Sequence, residues 1–141
     1  MFRLVPIAGD ASDEDLAEAD VAGLSLAQLR EAALAAPDSG DAAPESKRNA
    51  YRRSAAVRAY VVARAKGICE GCGAPAPFAT AAGRPYLEPH HTRRLSDGGP
   101  DHPGAVIALC PTCHRRAHYA ADGPTYNATL ILELAKREGP V

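Results

Sequence analysis

All four cysteines of the chain fall in two C-x-x-C pairs, "CEGC" from Cys69 and "CPTC" from Cys110, with 37 residues between the pairs. Each pair can wrap a metal ion from a tight turn, and two such turns complete a tetrahedral shell. Neither a redox motif nor buried thiols would explain two copies of the pair, and the βαβ surroundings of a redox motif are also missing. The pattern predicts a structural Zn²⁺ site formed by Cys69, Cys72, Cys110 and Cys113.

The sequence contains no membrane or secretion signal. No run reaches the roughly 18 apolar residues that a membrane span requires. The opening "MFRLVPIAGD" lacks the apolar core and the cleavage site of a signal peptide. The expectation is a cytoplasmic location with no membrane partner, and in that reducing compartment paired cysteines favour metal over disulfides.

Charge is divided unevenly along the chain. Residues 1–45 hold ten acidic residues and two arginines, a net charge of −8, whereas residues 46–141 hold fourteen Lys or Arg and seven Asp or Glu, a net charge of +7. The basic part suits a polyanion such as nucleic acid, although a solvated basic surface would give the same count. We expect an acidic N-terminal segment or linker over 1–46, which could be the tail of an upstream domain, and a second domain over 47–141.

Helices are predicted on both sides of the cysteine pairs. "LSLAQLREAALAA" begins a helix at Ser25, and Gln28 completes a capping box with it. Residues 47–66 form a longer helix ended by Gly67, and residues 125–137 form the last one. The longer helix has one face with i, i+3, i+4, i+7 spacing, made of Val57, Tyr60, Val61 and Arg64.

Strands are predicted near the N-terminus and between the cysteine pairs. "FRLVPI" reads as a short strand. A hairpin across Gly83 is expected to end in a strand that carries His90 and His91, and "AVIAL" is a further strand. The next helix carries His114 and His118.

The histidines form two tight groups once the cysteines are assigned to zinc. His114 and His118 are four residues apart on a helix and can chelate one ion from one face. A third ligand must come from elsewhere, and His90 and His91 are the obvious source. Adjacent strand residues point to opposite faces, so one of them can bind metal while the other faces water or substrate. His102 stands alone in a loop and is assigned no functional role.

These residues resemble the zinc-stapled form of the HNH, or ββα-metal, nuclease family. The resemblance rests on "CEGC", "YLEPHHTRRLSDGG" and "VIALCPTCHRRAH", and covers roughly residues 51–122. It extends to the nuclease modules of methylcytosine-specific restriction proteins. It implies an α+β fold, in which a small ββα-metal (HNH) core with a four-cysteine zinc knuckle is flanked by helices. The implied function is metal-dependent DNA endonuclease, the effector of a modification-dependent restriction system.

The resemblance also implies a role for each matching residue. His91 corresponds to the general base, which takes a proton from water. The implied ligands of the catalytic divalent ion, which is Mn²⁺, Mg²⁺, Ni²⁺, Co²⁺ or Zn²⁺, are His90, His114 and His118. Four arginines are placed to contact flanking phosphates of DNA, with solvent-facing side chains as the alternative: Arg93, Arg94, Arg115 and Arg116.

One motif position departs from the family. Five residues before the third cysteine, relatives usually have an Asn that ties down the loop carrying the base, and this chain has Ala105. Three explanations stay open: other groups hold the loop, the residue was substituted to trap substrate, or the module binds DNA without cutting it. The alternative functions are thus a zinc-stapled DNA-binding module without cleavage and a structural protein–protein zinc ribbon. Because one HNH site cuts one strand, double-strand cleavage would need a homodimer or two nicks.

Overall fold

The computed structural model describes residues 21–34, 44–93 and 101–139. The predicted strand "FRLVPI" and the predicted phosphate contact Arg94 lie outside these residues. The described elements, in chain order, are helix α1 (Leu26–Ala33), helix α2 (Pro44–Ala65), strand β1 (Glu88–His91), a 3-10 helix (Pro103–Ala105), strand β2 (Val106–Leu109), helix α3 (Pro111–Tyr119) and helix α4 (Gly123–Glu138). The predicted α+β class is confirmed.

Local sequence signals account for the ends of the first two helices. The Ser25 hydroxyl accepts from the Gln28 N–H, and the Gln28 side chain accepts from the Ser25 N–H, so the predicted capping box is present. Helix α2 begins at Pro44, three residues earlier than predicted, because proline lacks the N–H that a first turn leaves unpaired. Gly67 follows the end of α2 with φ +80°, a conformation that glycine adopts without strain. None of the described helices is long and apolar enough to cross a membrane.

Strand β1 pairs with β2 in a two-stranded antiparallel sheet. The register places His90 opposite Ile107 and His91 opposite Val106. The hairpin prediction is therefore wrong in one respect: Gly83 lies in a turn closed by a bridge between Ala79 and Pro85, but the chain before that turn does not pair with β1. The segment before the turn contains Pro75 and Pro77, and a proline has no N–H to donate to a β-ladder. Strand β2, in contrast, is a fully buried apolar strand with which β1 can pair.

The sheet lies between two apolar clusters. One joins α1 and α2 to Val106, and it contains the predicted face of α2, where Val57 and Val61 are completely buried. The other joins Cys69 and Cys113 to strand β2 and to the buried face of α4. Strand β2 contributes to both clusters, so it fixes the cysteine pairs relative to the strand that carries the histidines.

A buried ion pair on the predicted face of α2 connects these parts. Arg64 Nη2 lies 2.7 Å from Glu70 Oε1, inside the first cysteine turn, and Arg64 also donates to the carbonyls of Pro103 and Val106 at 3.0 Å. Glu70 accepts in addition from the Ala108 N–H at 3.0 Å. Helix α2, the first knuckle and strand β2 are thus joined by hydrogen bonds of one charged pair.

Candidate metal centres and active site

The two cysteine pairs come together at one point. All four Sγ atoms lie within 4.8 Å of one another. Four thiolates around zinc at about 2.3 Å would be roughly 3.8 Å apart, so a small closure of this cluster produces a tetrahedral shell. Backbone N–H groups of Cys72 and Cys110 donate to Cys69 Sγ at 3.4 and 3.3 Å. The arrangement is that of a closed structural metal site.

The pKa values of the thiols indicate that the cluster needs an additional positive charge. Burial alone would raise the pKa of Cys69, but the backbone N–H donors from Cys72 and Cys110 outweigh it and lower the pKa to about 7. Burial raises the pKa of Cys113 to about 12. The backbone N–H groups therefore stabilise the thiolate of Cys69, whereas burial disfavours a second thiolate at Cys113. A divalent cation would supply the missing positive charge, since coordinated thiols are deprotonated.

Three of the predicted histidines form a second cluster. Strand β1 contributes His90, and α3 contributes His114 and His118, whose Nε2 atoms are 3.2 Å apart. One nitrogen of each ring lies within 4.8 Å of the others. Two imidazoles bound tetrahedrally to an ion at about 2.0–2.1 Å would have nitrogens roughly 3.4 Å apart. This is close to the 3.2 Å between the Nε2 atoms of His114 and His118.

An unpaired buried atom supports a metal at this cluster. His90 is only 5% exposed, and its Nδ1 has no hydrogen-bond partner in the part of the chain that the structure describes. A buried acceptor without a partner is costly, so such atoms are normally satisfied. Its other nitrogen, Nε2, is occupied by Asn127 at 2.8 Å. Nδ1 is therefore the atom of His90 that is available to a metal ion.

Glu88 orients a ligand of this cluster. Its Oε1 accepts from His114 Nδ1–H at 2.8 Å, and its Oε2 accepts from the Tyr86 hydroxyl at 2.7 Å. These two hydrogen bonds, that of Tyr86 first, lower the pKa of Glu88. The ionised carboxylate fixes the proton of His114 on Nδ1 and leaves the lone pair on Nε2. Glu88 was not predicted, although strand alternation places it on the same face as His90.

His91 faces a different partner. Its Nε2 lies 3.1 Å from Asp101 Oδ1, and its side chain is 22% exposed. Burial would raise the pKa of Asp101, but hydrogen bonds from His91 and then Ser54 outweigh it, so the pKa is lowered. An ionised Asp101 accepts from Nε2–H and leaves the lone pair of His91 on Nδ1. Asp101 was not predicted, because no spacing rule relates a loop residue to a histidine ten positions earlier.

Ala105 holds the loop through its backbone. The residue is buried in the 3-10 helix, and its carbonyl accepts from the Thr92 N–H at 2.9 Å and from the Thr92 hydroxyl at 3.0 Å. His102 caps the same 3-10 helix, because its Nδ1 accepts from the Gly104 N–H at 2.9 Å. Of the three explanations for Ala105, this geometry favours a loop held by other groups.

The predicted phosphate contacts differ in their surroundings. Arg93 and Arg115 are exposed. The Arg115 guanidinium lies 5.7 Å from the centroid of the Tyr119 ring. Arg116 is also exposed, but it forms an ion pair with Asp122 and lies 4.0 Å from the centroid of a second tyrosine ring. Arg116 is thus already held by other groups of the protein at the surface, and the DNA contacts of these arginines remain predictions.

This arrangement is similar to that of known proteins. The family model described as HNH endonuclease matches residues 69–120, which contain both metal clusters. The chain is 43% identical over 90 residues to the type IV methyl-directed restriction enzyme EcoKMcrA of Escherichia coli (strain K12), covering 64% of this chain and 31% of that enzyme.

The chain is also similar to a solved structure. The type IV phosphorothioation-dependent restriction endonuclease ScoMcrA superposes with a TM-score of 0.55 and 29% identity, over 93% of this chain and 23% of that one. The chain thus spans less than a third of the length of either relative. Residues 69–120 match the HNH endonuclease family model, which confirms the resemblance that the sequence motifs predict.

Proposed function

We propose that this chain is a metal-dependent DNA endonuclease domain that acts as the effector of a modification-dependent restriction system. The observation that carries the proposal is the buried, unpaired Nδ1 of His90 beside His114 and His118, with His91 next on the same strand. Three imidazoles leave coordination positions open for phosphate and water, as a catalytic site requires, whereas the four-cysteine site is closed.

His91 acts as the general base in this proposal. Its Nδ1 takes a proton from the attacking water, while Asp101 accepts from Nε2–H and stabilises the imidazolium that forms. The water oxygen forms a bond to phosphorus, and the bond from phosphorus to the 3′ oxygen breaks. The leaving oxygen takes up a proton from solvent, so the products carry a 5′-phosphate and a 3′-hydroxyl.

His90, His114 and His118 would hold the divalent ion, which is Mn²⁺, Mg²⁺, Ni²⁺, Co²⁺ or Zn²⁺. When bound, such an ion supplies a Lewis acid that neutralises charge on the scissile phosphate and the leaving oxygen. The protein's part is to orient the imidazoles, which Glu88 does for His114. We assign structural Zn²⁺ to the four cysteines.

DNA is the proposed partner. The net charge of +7 on residues 46–141 supports binding of a polyanion. Arg93 and Arg115 have the exposure that phosphate contacts need, and Arg94 follows directly in sequence. Arg116 would have to exchange Asp122 for a phosphate, so we expect it to contribute less than Arg115.

The restriction role is taken from the relatives. One is methyl-directed and the other is phosphorothioation-dependent, as their names state. This chain matches less than a third of each relative, and the two relatives depend on different modifications of DNA. The shared part therefore fits the cleaving domain of such enzymes better than a domain that recognises one particular modification. A cytoplasmic location, where restriction takes place, is part of this proposal.

Cleavage of supercoiled plasmid tests the proposal directly. Modified and unmodified plasmid is incubated with the zinc-loaded protein and each of Mn²⁺, Mg²⁺, Ni²⁺ and Co²⁺, with His91→Ala as the matched control. We expect nicked circles whose ends DNA ligase can reseal, and loss of about 10²- to 10⁴-fold in rate in His91→Ala. Linear product appearing without a nicked intermediate would indicate cleavage by a homodimer.

Binding without cleavage would contradict the proposal. If plasmid is retained in a mobility-shift assay but no ion supports cleavage, and Ala105→Asn does not restore it, the chain is a zinc-stapled DNA-binding module. If plasmid is neither bound nor cut, the structural zinc ribbon is the remaining alternative.

A further inference from the structure

We infer that Asn127 is a positioning residue that fixes the histidine of the metal cluster and the backbone beside the general base at the same time; the inference rests on the proposed function. Asn127 lies in α4, outside the residues that match the HNH family model. It was not singled out by any motif in the sequence.

One side-chain amide makes two directed hydrogen bonds. Asn127 Nδ2 donates to the carbonyl of Thr92 at 2.9 Å, and Asn127 Oδ1 lies 2.8 Å from His90 Nε2. The two partners flank His91 in the chain. Asn127 therefore holds the segment that carries the proposed base from both of its neighbours.

The first consequence concerns the metal ligand. The amide nitrogen can only donate and the amide oxygen can only accept. Because Nδ2 is committed to a carbonyl, Oδ1 faces His90, and the proton of His90 must lie on Nε2. The lone pair is then on the buried Nδ1, the atom without a partner beside His114 and His118. Asn127 thus selects the tautomer of His90 that can bind an ion.

The second consequence concerns the base. The N–H and hydroxyl of Thr92 are bound by the Ala105 carbonyl, and its own carbonyl is bound by Asn127. Both polar groups of the Thr92 backbone are therefore hydrogen-bonded, the N–H to the 3-10 helix and the carbonyl to α4. The methyl side chain of Ala105 cannot donate a hydrogen bond. The donor to the Thr92 carbonyl is Asn127, which lies in α4.

Helix α4 is placed firmly enough to serve this purpose. Tyr126 and Leu130, on either side of Asn127, are buried in the cluster that contains Cys69 and Cys113. A Cβ at Gly123 would come within 2.9 Å of the Ala117 carbonyl, so the start of α4 lies directly against α3. The helix that carries the asparagine thus packs against the helix that carries the other two histidines.

Two substitutions separate the two bonds. Asn127→Asp keeps an acceptor for His90 but cannot donate to Thr92, and Asn127→Leu removes both bonds at similar volume. Thr129→Ala is the matched control, since Thr129 is exposed on the same helix and its hydroxyl donates to the Thr125 carbonyl within the helix. Each zinc-loaded protein is titrated with Ni²⁺ by calorimetry, with His118→Ala defining the site, and plasmid cleavage is measured separately.

We expect Asn127→Leu to weaken Ni²⁺ binding by about 10- to 100-fold and to lower kcat, because partners of metal-bound histidines act on both. Asn127→Asp should bind Ni²⁺ at least as tightly as the unaltered protein, because a carboxylate partner raises imidazole basicity, yet its kcat should fall by about 10- to 100-fold. Thr129→Ala should change neither quantity.

Other results would overturn the inference. Unchanged Ni²⁺ affinity in Asn127→Leu removes the role toward His90, and unchanged kcat in Asn127→Asp removes the role toward Thr92. If Asn127→Leu does not fold, as judged by zinc content and circular dichroism, the split between affinity and kcat in Asn127→Asp still decides. If the unaltered protein binds Ni²⁺ but cuts no DNA, the proposed function fails, and the Ni²⁺ titrations alone decide whether Asn127 positions His90.

Discussion

Glu88 Oε1 lies 2.8 Å from His114 Nδ1, on the side of the ring away from the histidine cluster. The carboxylate is held in turn by the Tyr86 hydroxyl. A ring that is fixed in this way presents its Nε2 lone pair without a search among rotamers and tautomers. Glu88 thus acts on the metal cluster without belonging to it.

We therefore expect Glu88→Gln to weaken Ni²⁺ binding by about 10-fold or more, because a neutral amide orients the ring less strongly than a carboxylate does. Calorimetric titration of the zinc-loaded protein measures the change. Glu133→Gln, on the partly exposed side of α4, serves as the control and should leave the affinity unchanged. Equal affinities for the two variants would show that Glu88 has no role at the cluster.

Sequence spacing predicted which cysteines and histidines come together because each pair is local. Two cysteines three positions apart share a turn, and His114 and His118 share a helix face whatever the rest of the chain does. The residues that support them depend on packing between distant elements. Asn127 follows His90 by 37 positions, and only the docking of α4 brings the two side chains together.

The fold was predictable to a similar degree. Caps and apolar periodicity predicted the helices, since these signals act within a few residues. The partner of β1 was predicted wrongly, because a glycine turn at Gly83 indicates a local hairpin and contains no information on the competing strand. Strand β2 prevailed because it is wholly apolar and is buried between the two clusters.

Removal of the structural metal should unfold the domain. Cys113 is buried in the same apolar cluster as strand β2, so its environment forms only when the knuckle closes. Structural zinc contributes about 10–16 kcal/mol in small zinc domains, comparable to or larger than the roughly 5–15 kcal/mol that stabilises a typical domain. Cys113→Ser should therefore lose zinc and helical signal at 25 °C, as measured by metal analysis and circular dichroism. His118→Ala should retain both, and a folded, zinc-free Cys113→Ser protein would exclude a structural role for the metal.

The Arg64–Glu70 pair should matter more for stability than any exposed pair. Both side chains are nearly buried. Arg64→Ala removes the bidentate partner of Glu70, which keeps only the longer contact with Arg137 at 3.4 Å, and it also removes the contact of Arg64 with the buried Glu138 carboxylate. Breaking one side of a buried pair costs about 3–5 kcal/mol. Urea unfolding should show a loss of this size in Arg64→Ala. Arg30→Ala removes a pair whose arginine side chain is 49% exposed and should cost no more than about 1 kcal/mol; similar losses in both variants would contradict the argument.

Asp101 should affect cleavage without affecting the metal. It contacts His91 and not the three histidines of the cluster, so Asp101→Asn leaves their geometry intact. A neutral amide cannot stabilise the imidazolium that His91 becomes, and kcat should fall by about 10²- to 10⁴-fold, the range associated with general-base catalysis, at unchanged Ni²⁺ affinity. Because Asp101 acts through His91, the same substitution in a His91→Ala background should have almost no further effect. A full additional loss in that background would mean that Asp101 acts on the substrate or the fold and not on the base.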